Sequence, residues 1–206
     1  MFAPCSIGFN KAGVATVLST INGTFDALGA AAFIAKVRIE GLRDLGGALS
    51  PFNAFQIIQG LETLDIRMKK HSENALELAK WLEKRKEVEW VNYPGLDSSN
   101  YNILSKKYLP KGQSGLITFG VKGGFDSAKT IADNTNIFSL LANIGDTKSL
   151  IIHPASTTHQ QLSVDDQAST GVTSDLIRLS VGLEDIKDLK NDLEIAFSKI
   201  DSKVLI

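Results

Sequence analysis

Cysteine is nearly absent from this sequence, as are long apolar runs and any excess of charge of one sign. The chain has 206 residues and a single cysteine, Cys5, which excludes an internal disulfide and fits a reducing compartment such as the cytoplasm. Its longest apolar stretches, such as 27–35, fall well short of the ~20 residues that a membrane span needs. The formal net charge is −1, so we expect neither nucleic acid nor a membrane as a partner.

Motifs for binding metals or dinucleotides are also missing. The spacing of His153 and His159 does not match that of zinc ligands, and no cysteine or acidic cluster accompanies them. The glycines between residues 115 and 124 do not form a GxGxxG pattern that opens a helix. We therefore predict no metal site, and we interpret both histidines as structural residues that hold their loop by hydrogen bonds.

Hydrophobic residues make up 43% of the chain, enough to form the core of one domain. Their periodicity predicts four strands, at 88–93, 115–121, 149–153 and 176–183. It also predicts helices at 24–44, 102–109, 127–135, 164–169 and 186–200. Strands and helices of these lengths indicate an α/β fold with a small sheet and helices on one side.

A long amphipathic helix is predicted ahead of the first strand. Ser50 suits its N-cap and Pro51 its first turn, where the missing N–H of proline costs nothing. Apolar residues then recur at spacings of three and four as far as residue 82, and the basic residues 84–86 would complement the helix dipole. A helix of roughly 30 residues exceeds the usual 8–20, so it is expected to link two layers or domains.

Arg178 is the candidate binding residue that the strand pattern singles out. Ile177, Leu179 and Val181 alternate with polar or small residues, so Arg178 projects from the face opposite the apolar one. A guanidinium can grip a carboxylate through two parallel hydrogen bonds. The pattern alone, however, favours an ordinary arginine on the solvated face of a sheet.

Two C-terminal motifs, HPASTTH at 153–159 and IRLSVGLED at 177–185, resemble the signature of the pyridoxal-phosphate enzymes of cysteine and methionine metabolism. Further segments match in family order: FIAKVR (33–38), LRDLG (42–46), LSPFNAF (49–55), QGLETL (59–64), HSENA (71–75), YPGL (93–96) and NIGD (143–146). The matches run from about Asn22 to Ser198. AFIAKVR together with LRDLG is most similar to the O-acetylhomoserine sulfhydrylase branch.

The resemblance implies the C-terminal domain of a fold-type I pyridoxal-phosphate transferase, preceded by its linking helix. It divides the chain into an unplaced segment at 1–21, a remnant of the large domain with the linking helix at 22–86, and the small domain at 87–206. The Schiff-base lysine of the family, its pyridine-binding aspartate and its phosphate-binding turn have no match here. Lys11 lacks the Ser/Thr residues that precede the family lysine. We therefore predict no catalytic and no cofactor-binding residue in this chain, which looks like the C-terminal half of such an enzyme.

The resemblance also implies three substrate-binding residues. Arg178 matches the arginine that binds the α-carboxylate of the amino-acid substrate. Thr158 falls near the same carboxylate-binding corner of the site. Asn143 stands where other branches often carry serine and would add a backbone or side-chain contact. The alternatives are a loop-capping hydroxyl for Thr158 and a turn residue before Gly145 for Asn143.

The activity that the resemblance implies is the conversion of O-acetylhomoserine and sulfide to homocysteine and acetate, with pyridoxal phosphate as the electron sink. Cystathionine γ-synthase, cystathionine γ-lyase and methionine γ-lyase share the same motifs and remain alternatives. So does a non-catalytic truncated product or binding module, because the lysine is missing. The parent is expected to be a cytoplasmic homo-oligomer that binds a small amino-acid substrate.

Overall fold

The computed structural model describes residues 29–200, and their contacts divide the chain into two compact units between Gln59 and Gly60. The segment at 1–21 and the first part of the helix predicted at 24–44 lie outside the described residues. The predicted division of the chain between residues 86 and 87 stays a prediction. No helix within 29–200 is long and apolar enough to cross a membrane.

The first unit is helical. A 3₁₀ turn at Gly29–Ala31 leads into helix α1, Ala32–Lys36, which continues as a π-helix over Val37–Asp44. Helix α2, Pro51–Glu62, follows, and the Ser50 hydroxyl accepts a hydrogen bond from the Asn53 amide at 3.1 Å, which confirms the predicted N-cap. Many large apolar side chains of 33–58 stay exposed, among them Phe33, Ile34, Leu45, Phe52, Phe55 and Ile58.

The long helix predicted from Ser50 to Lys86 is interrupted, so that prediction was wrong in its continuity. Helix α3 spans Leu64–Leu82, and Thr63 stands between α2 and α3 with φ −106° and ψ 3°. The Arg67 guanidinium donates to the Gly60 carbonyl at 2.5 Å. In a continuous helix that carbonyl would accept from the amide four residues on, so the arginine satisfies it where the helix breaks.

Helix α3 ends at Leu82, so the basic residues 84–86 lie beyond the helix. Arg85 forms ion pairs with Glu87 at 3.2 Å and with Glu194 at 3.0 Å, and its guanidinium lies over the Trp81 ring. The side chain therefore links the end of α3 to the C-terminal helix.

The second unit contains a five-stranded sheet in the order β1-β2-β5-β4-β3. Its strands are β1 Val88–Asn92, β2 Leu116–Val121, β3 Ser139–Leu140, β4 Leu150–Ile152 and β5 Leu176–Ser180. All neighbours are antiparallel except β3 and β4, which are parallel. The four predicted strands are confirmed. Sequence periodicity missed β3 because two residues are too few to show an alternation.

The remaining helices are α4 Asn102–Tyr108, α5 Gly124–Asp133, α6 Val164–Ser169 and α7 Ile186–Phe197, with a 3₁₀ turn at Pro154–Ser156. Helix α5 begins three residues earlier than predicted. Gly123 and Gly124 have φ of 87° and 61°, a left-handed conformation that turns the chain from β2 into the helix.

One face of the sheet packs against helices α3, α5 and α7, as the predicted fold class requires. Ile117 and Phe119 of β2 and Ile177 and Leu179 of β5 are fully buried in this core. Because side chains alternate along a strand, Arg178 lies on the other face. The side of the sheet that carries the apolar core is therefore not the side that carries the candidate binding residue.

Asp192 of α7 is a buried carboxylate that anchors the chain between α5 and β3. It is 3% exposed and accepts hydrogen bonds from the backbone amides of Asn136, Ile137 and Phe138 at 2.8, 2.9 and 3.1 Å. These donors belong to a loop without regular structure, so their partner has to come from elsewhere in the fold.

We predict that Asp192→Ala lowers the free energy of unfolding by about 3 kcal/mol, because three buried amide donors lose a charged acceptor. Urea denaturation of the 206-residue chain measures it. Asp97→Ala is the matched control, since the Asp97 side chain is 90% exposed and should change stability by less than about 0.5 kcal/mol. An equal effect of both variants would contradict the anchoring role.

Candidate carboxylate-binding site

Arg178 lies in the middle of β5, paired with Thr118 of β2 on one side and Ile152 of β4 on the other. The residue is half-buried, and its Nη2 donates to the Asn143 carbonyl at 3.0 Å. Within residues 29–200 no carboxylate forms an ion pair with it. A guanidinium has five N–H donors, so donors remain for a further acceptor.

Asn143 contacts Arg178 through its backbone and not through its side chain. Its Oδ1 accepts from the Ile144 amide at 2.9 Å, and the Asp146 carboxylate accepts from the Lys148 amide at 3.0 Å. Gly145 has φ of 74° between them. The Asn143 carbonyl thus contacts Arg178 and its side chain lies in a turn, while its role in substrate binding stays a prediction.

Thr158 is exposed, and its hydroxyl lies 2.8 Å from Nδ1 of His159. It lines a cavity of about 470 Å³ together with Ile152, the strand partner of Arg178, and Ala142, the neighbour of Asn143. Neither Arg178 nor Asn143 lines this cavity, so the three predicted residues share this corner of the sheet only through these neighbours. Among the described residues, no hydrogen bond joins Thr158 to Arg178 directly.

His153 is fixed by two hydrogen bonds. Its Nε2 donates to the Ser174 carbonyl at 2.8 Å, so Nδ1 accepts from the Ser156 hydroxyl, also at 2.8 Å. Burial lowers the pKa of His153 below its usual value, and the hydrogen bond to Ser174 opposes the shift only in part. The ring also meets Phe125 edge-on, with centroids 4.9 Å apart. His153 thus holds its loop by hydrogen bonds, as predicted.

We predict that His153 makes stability depend on pH. Because its pKa is lower in the folded chain than in the unfolded chain, its stabilisation is complete above the unfolded pKa of about 6.5 and is lost as the pH falls through the folded value. Unfolding of the chain and of His153→Gln should be compared between pH 8 and pH 5. The wild type should lose stability relative to the variant on acidification, and parallel curves would refute the prediction.

Helix α3 supplies two buried residues, His71 and Asn74. The periodicity of the sequence did not indicate their hydrogen-bond partners. Nδ1 of His71 donates to the Val181 carbonyl, and Nδ2 of Asn74 donates to the carbonyls of Gly182 at 3.0 Å and Glu184 at 2.9 Å. The sequence left His71 as either a helix-surface or a packing residue, and it is 1% exposed. The spacing of three residues, which places both side chains on one face of α3, was the available signal.

The loop after β5 is also bonded to the segment that precedes β4. The Glu184 carboxylate accepts from the amide and from the hydroxyl of Ser149, both at 2.8 Å. The same hydroxyl accepts from the Gly182 amide at 2.8 Å. We call Ser149, Gly182 and Glu184 the Ser149–Glu184 cluster. A β-carbon on Gly182 would lie 2.5 Å from the Thr147 carbonyl oxygen, so only glycine fits there.

The residues around this corner fit a carboxylate better than they fit pyridoxal phosphate. The cavity that Thr158 lines is bordered by apolar residues, by Ser156 and Thr157, and by Gln160. None of these lining residues carries an amine that could form a Schiff base with an aldehyde. In the described part of the chain, no group of three or more His, Cys, Asp or Glu side chains is placed to hold a metal ion.

The second unit is thus a small α/β domain whose sheet carries Arg178 on the face opposite its apolar core. A family model for Cys/Met metabolism PLP-dependent enzymes matches residues 15–198. The chain belongs to this family, whose members depend on pyridoxal phosphate. The match begins before Asn22, the first residue that the motifs had placed.

Similar proteins are named O-acetyl-L-homoserine sulfhydrylase. The Leptospira meyeri protein of that name is 55% identical over 181 residues, which cover 86% of this chain and 41% of the relative. O-acetyl-L-homoserine sulfhydrylase 1 of Thermus thermophilus is 48% identical over 173 residues, 84% of this chain and 41% of the relative. The chain thus spans about two fifths of the length of these relatives.

A solved structure confirms the fold class. A Campylobacter jejuni protein described as an O-acetylhomoserine (thiol)-lyase superposes with a TM-score of 0.73 at 48% identity, over 80% of this chain and 39% of the other. That crystal structure carries N′-pyridoxyl-lysine 5′-monophosphate. The fold of this chain is that of the C-terminal domain of fold-type I pyridoxal-phosphate enzymes.

Proposed function

We propose that this chain is the C-terminal portion of a pyridoxal-phosphate-dependent O-acetylhomoserine sulfhydrylase, and that it supplies the arginine that binds the substrate carboxylate. The observation that carries the proposal is the state of Arg178. Its half-buried guanidinium is oriented by the Asn143 carbonyl, yet no carboxylate within 29–200 neutralises it. A charged donor in that state is suited to an anionic ligand.

Each residue of the corner has a distinct part in this proposal. Arg178 binds the α-carboxylate, and the Asn143 carbonyl fixes the guanidinium so that its other N–H groups face the ligand. Thr158 lies on the rim of the cavity, where its hydroxyl can donate to a carboxylate oxygen. Holding the carboxylate orients the amino acid, and orientation lowers the entropic part of the barrier.

The overall reaction is a substitution at the γ-carbon. The bond from this carbon to the acetoxy oxygen breaks, acetate leaves with the electron pair, and sulfide forms the new carbon–sulfur bond of homocysteine. The relatives support this branch by name over the sister lyases and synthases. The lysine that holds the cofactor is assigned to a part of the parent that this chain does not contain.

We further infer that the parent is a cytoplasmic homo-oligomer with the large-domain remnant at 22–86 and the small domain at 87–206. The exposed apolar side chains of 33–58 support the inference that another protein surface covers them in the parent, since soluble proteins rarely leave large apolar patches exposed. The single cysteine supports a reducing compartment.

In the full-length enzyme that contains this chain, we predict that Arg178→Lys raises the KM for O-acetylhomoserine about 10- to 100-fold. An ammonium group cannot reproduce the two parallel hydrogen bonds of a guanidinium fork. Steady-state kinetics with varied O-acetylhomoserine and saturating sulfide measure the effect.

Arg85→Lys is the matched control for this substitution. Arg85 is also half-buried, but Glu87 and Glu194 already neutralise it, so the KM should stay within about twofold of the wild type. An unchanged KM in Arg178→Lys would refute the assignment of Arg178.

We also predict that the 206-residue chain alone makes no homocysteine from O-acetylhomoserine and sulfide when pyridoxal phosphate is added, because it offers no lysine in the family context. A thiol assay of the purified chain beside a full-length relative tests this. Cofactor-dependent homocysteine from the chain alone would contradict the proposed division of labour.

A further inference from the structure

The segment that orients Arg178 is itself held from its far end. Asn143, whose carbonyl accepts from Arg178, opens the loop 143–149. Between Asn143 and β4 this loop has no regular structure. Its geometry therefore depends on the hydrogen bonds that reach it from other segments.

The Ser139 amide of β3 donates to the Ser149 carbonyl at 3.0 Å, and the other hydrogen bonds that hold the end of this loop come from the segment after β5. The Leu183 amide donates to the Thr147 carbonyl at 2.9 Å, and the Glu184 carboxylate accepts from the Ser149 amide and hydroxyl. Ser149 is fully buried. A carboxylate that accepts two hydrogen bonds from one buried residue fixes both the position and the rotamer of that residue.

Helix α3 holds the segment 181–184 in turn. Asn74 donates to the Gly182 and Glu184 carbonyls, and His71 donates to the Val181 carbonyl. Both side chains are buried, at 2% and 1% exposure. The backbone that carries Glu184 is thereby fixed before its carboxylate reaches Ser149.

We propose that Glu184 is a positioning residue for the carboxylate site: through Ser149 it sets the loop 143–149, whose Asn143 carbonyl orients Arg178. This inference rests on the proposed function in so far as Arg178 binds the substrate. Glu184 touches neither substrate nor cofactor in this scheme. Glu184 therefore affects substrate affinity, because a misplaced guanidinium binds the carboxylate more weakly in the ground state and in the transition state alike.

Amide hydrogen exchange of the 206-residue chain reports on the cluster without any assay of function. The Ser149 and Gly182 amides donate within the cluster, so in Glu184→Ala both should exchange about tenfold faster or more, beyond any change in global stability. Glu184→Gln keeps one acceptor oxygen for the Ser149 amide and should lie between the alanine variant and the wild type. If the alanine variant does not fold, the amide exchange of Glu184→Gln and of Ser149→Ala is compared with that of the wild type instead.

Kinetics of the full-length enzyme separate a positioning role from a merely structural one. Glu184→Ala should raise the KM for O-acetylhomoserine about tenfold while kcat stays within about twofold, and Glu184→Gln should restore part of the affinity. Glu77→Ala is the control, since this glutamate is 55% exposed and pairs only with Lys190 in the described structure. It should alter neither the exchange of residues 143–149 nor the KM.

The outcomes distinguish the two proposals. Unchanged exchange at Ser149 and Gly182 in Glu184→Ala overturns the inference, whatever Arg178→Lys does. Faster exchange with an unchanged KM also overturns it when Arg178→Lys raises the KM, and then the proposed function stands. An unchanged KM in Arg178→Lys overturns the proposed function itself.

Discussion

A set of buried hydrogen bonds at the end of β5 joins parts of the chain that lie far apart in sequence. His71 and Asn74 of α3 bond the backbone of 181–184, and Glu184 bonds Ser149 just before β4. Removing any one of these groups would leave a buried partner unsatisfied, which costs about 1–3 kcal/mol. The place of the central strands, and of the loop that orients Arg178, depends on this constraint.

The one-sided packing of the sheet explains why the candidate site lies where it does. Helices α3, α5 and α7 bury the apolar face of β2 and β5, and the alternation of side chains then places Thr118 and Arg178 on the other face. Within residues 29–200 the Arg178 residue is half-buried and no carboxylate forms an ion pair with it. The apolar core and the proposed binding residue thus lie on opposite faces of the same strands.

Sequence reasoning predicted what local pattern determines. The alternation around Arg178 predicted its strand and the face of the sheet on which it lies, and Ser50 predicted the start of the helix. What it missed depends on distant partners. His71 and Asn74 find their acceptors 110 and 108 residues along the chain, and the break at Thr63 accompanies a hydrogen bond from Arg67 to the Gly60 carbonyl. Strand β3 is too short to carry a pattern.

The most direct test of the account is a crystal structure of the full-length enzyme that contains this chain, with an amino-acid substrate analogue bound. The account predicts two Arg178 nitrogens at about 2.7–2.9 Å from the α-carboxylate oxygens, with the Asn143 carbonyl still bonded to the guanidinium. An α-carboxylate bound by another cation, with Arg178 contacting only Asn143, would contradict it.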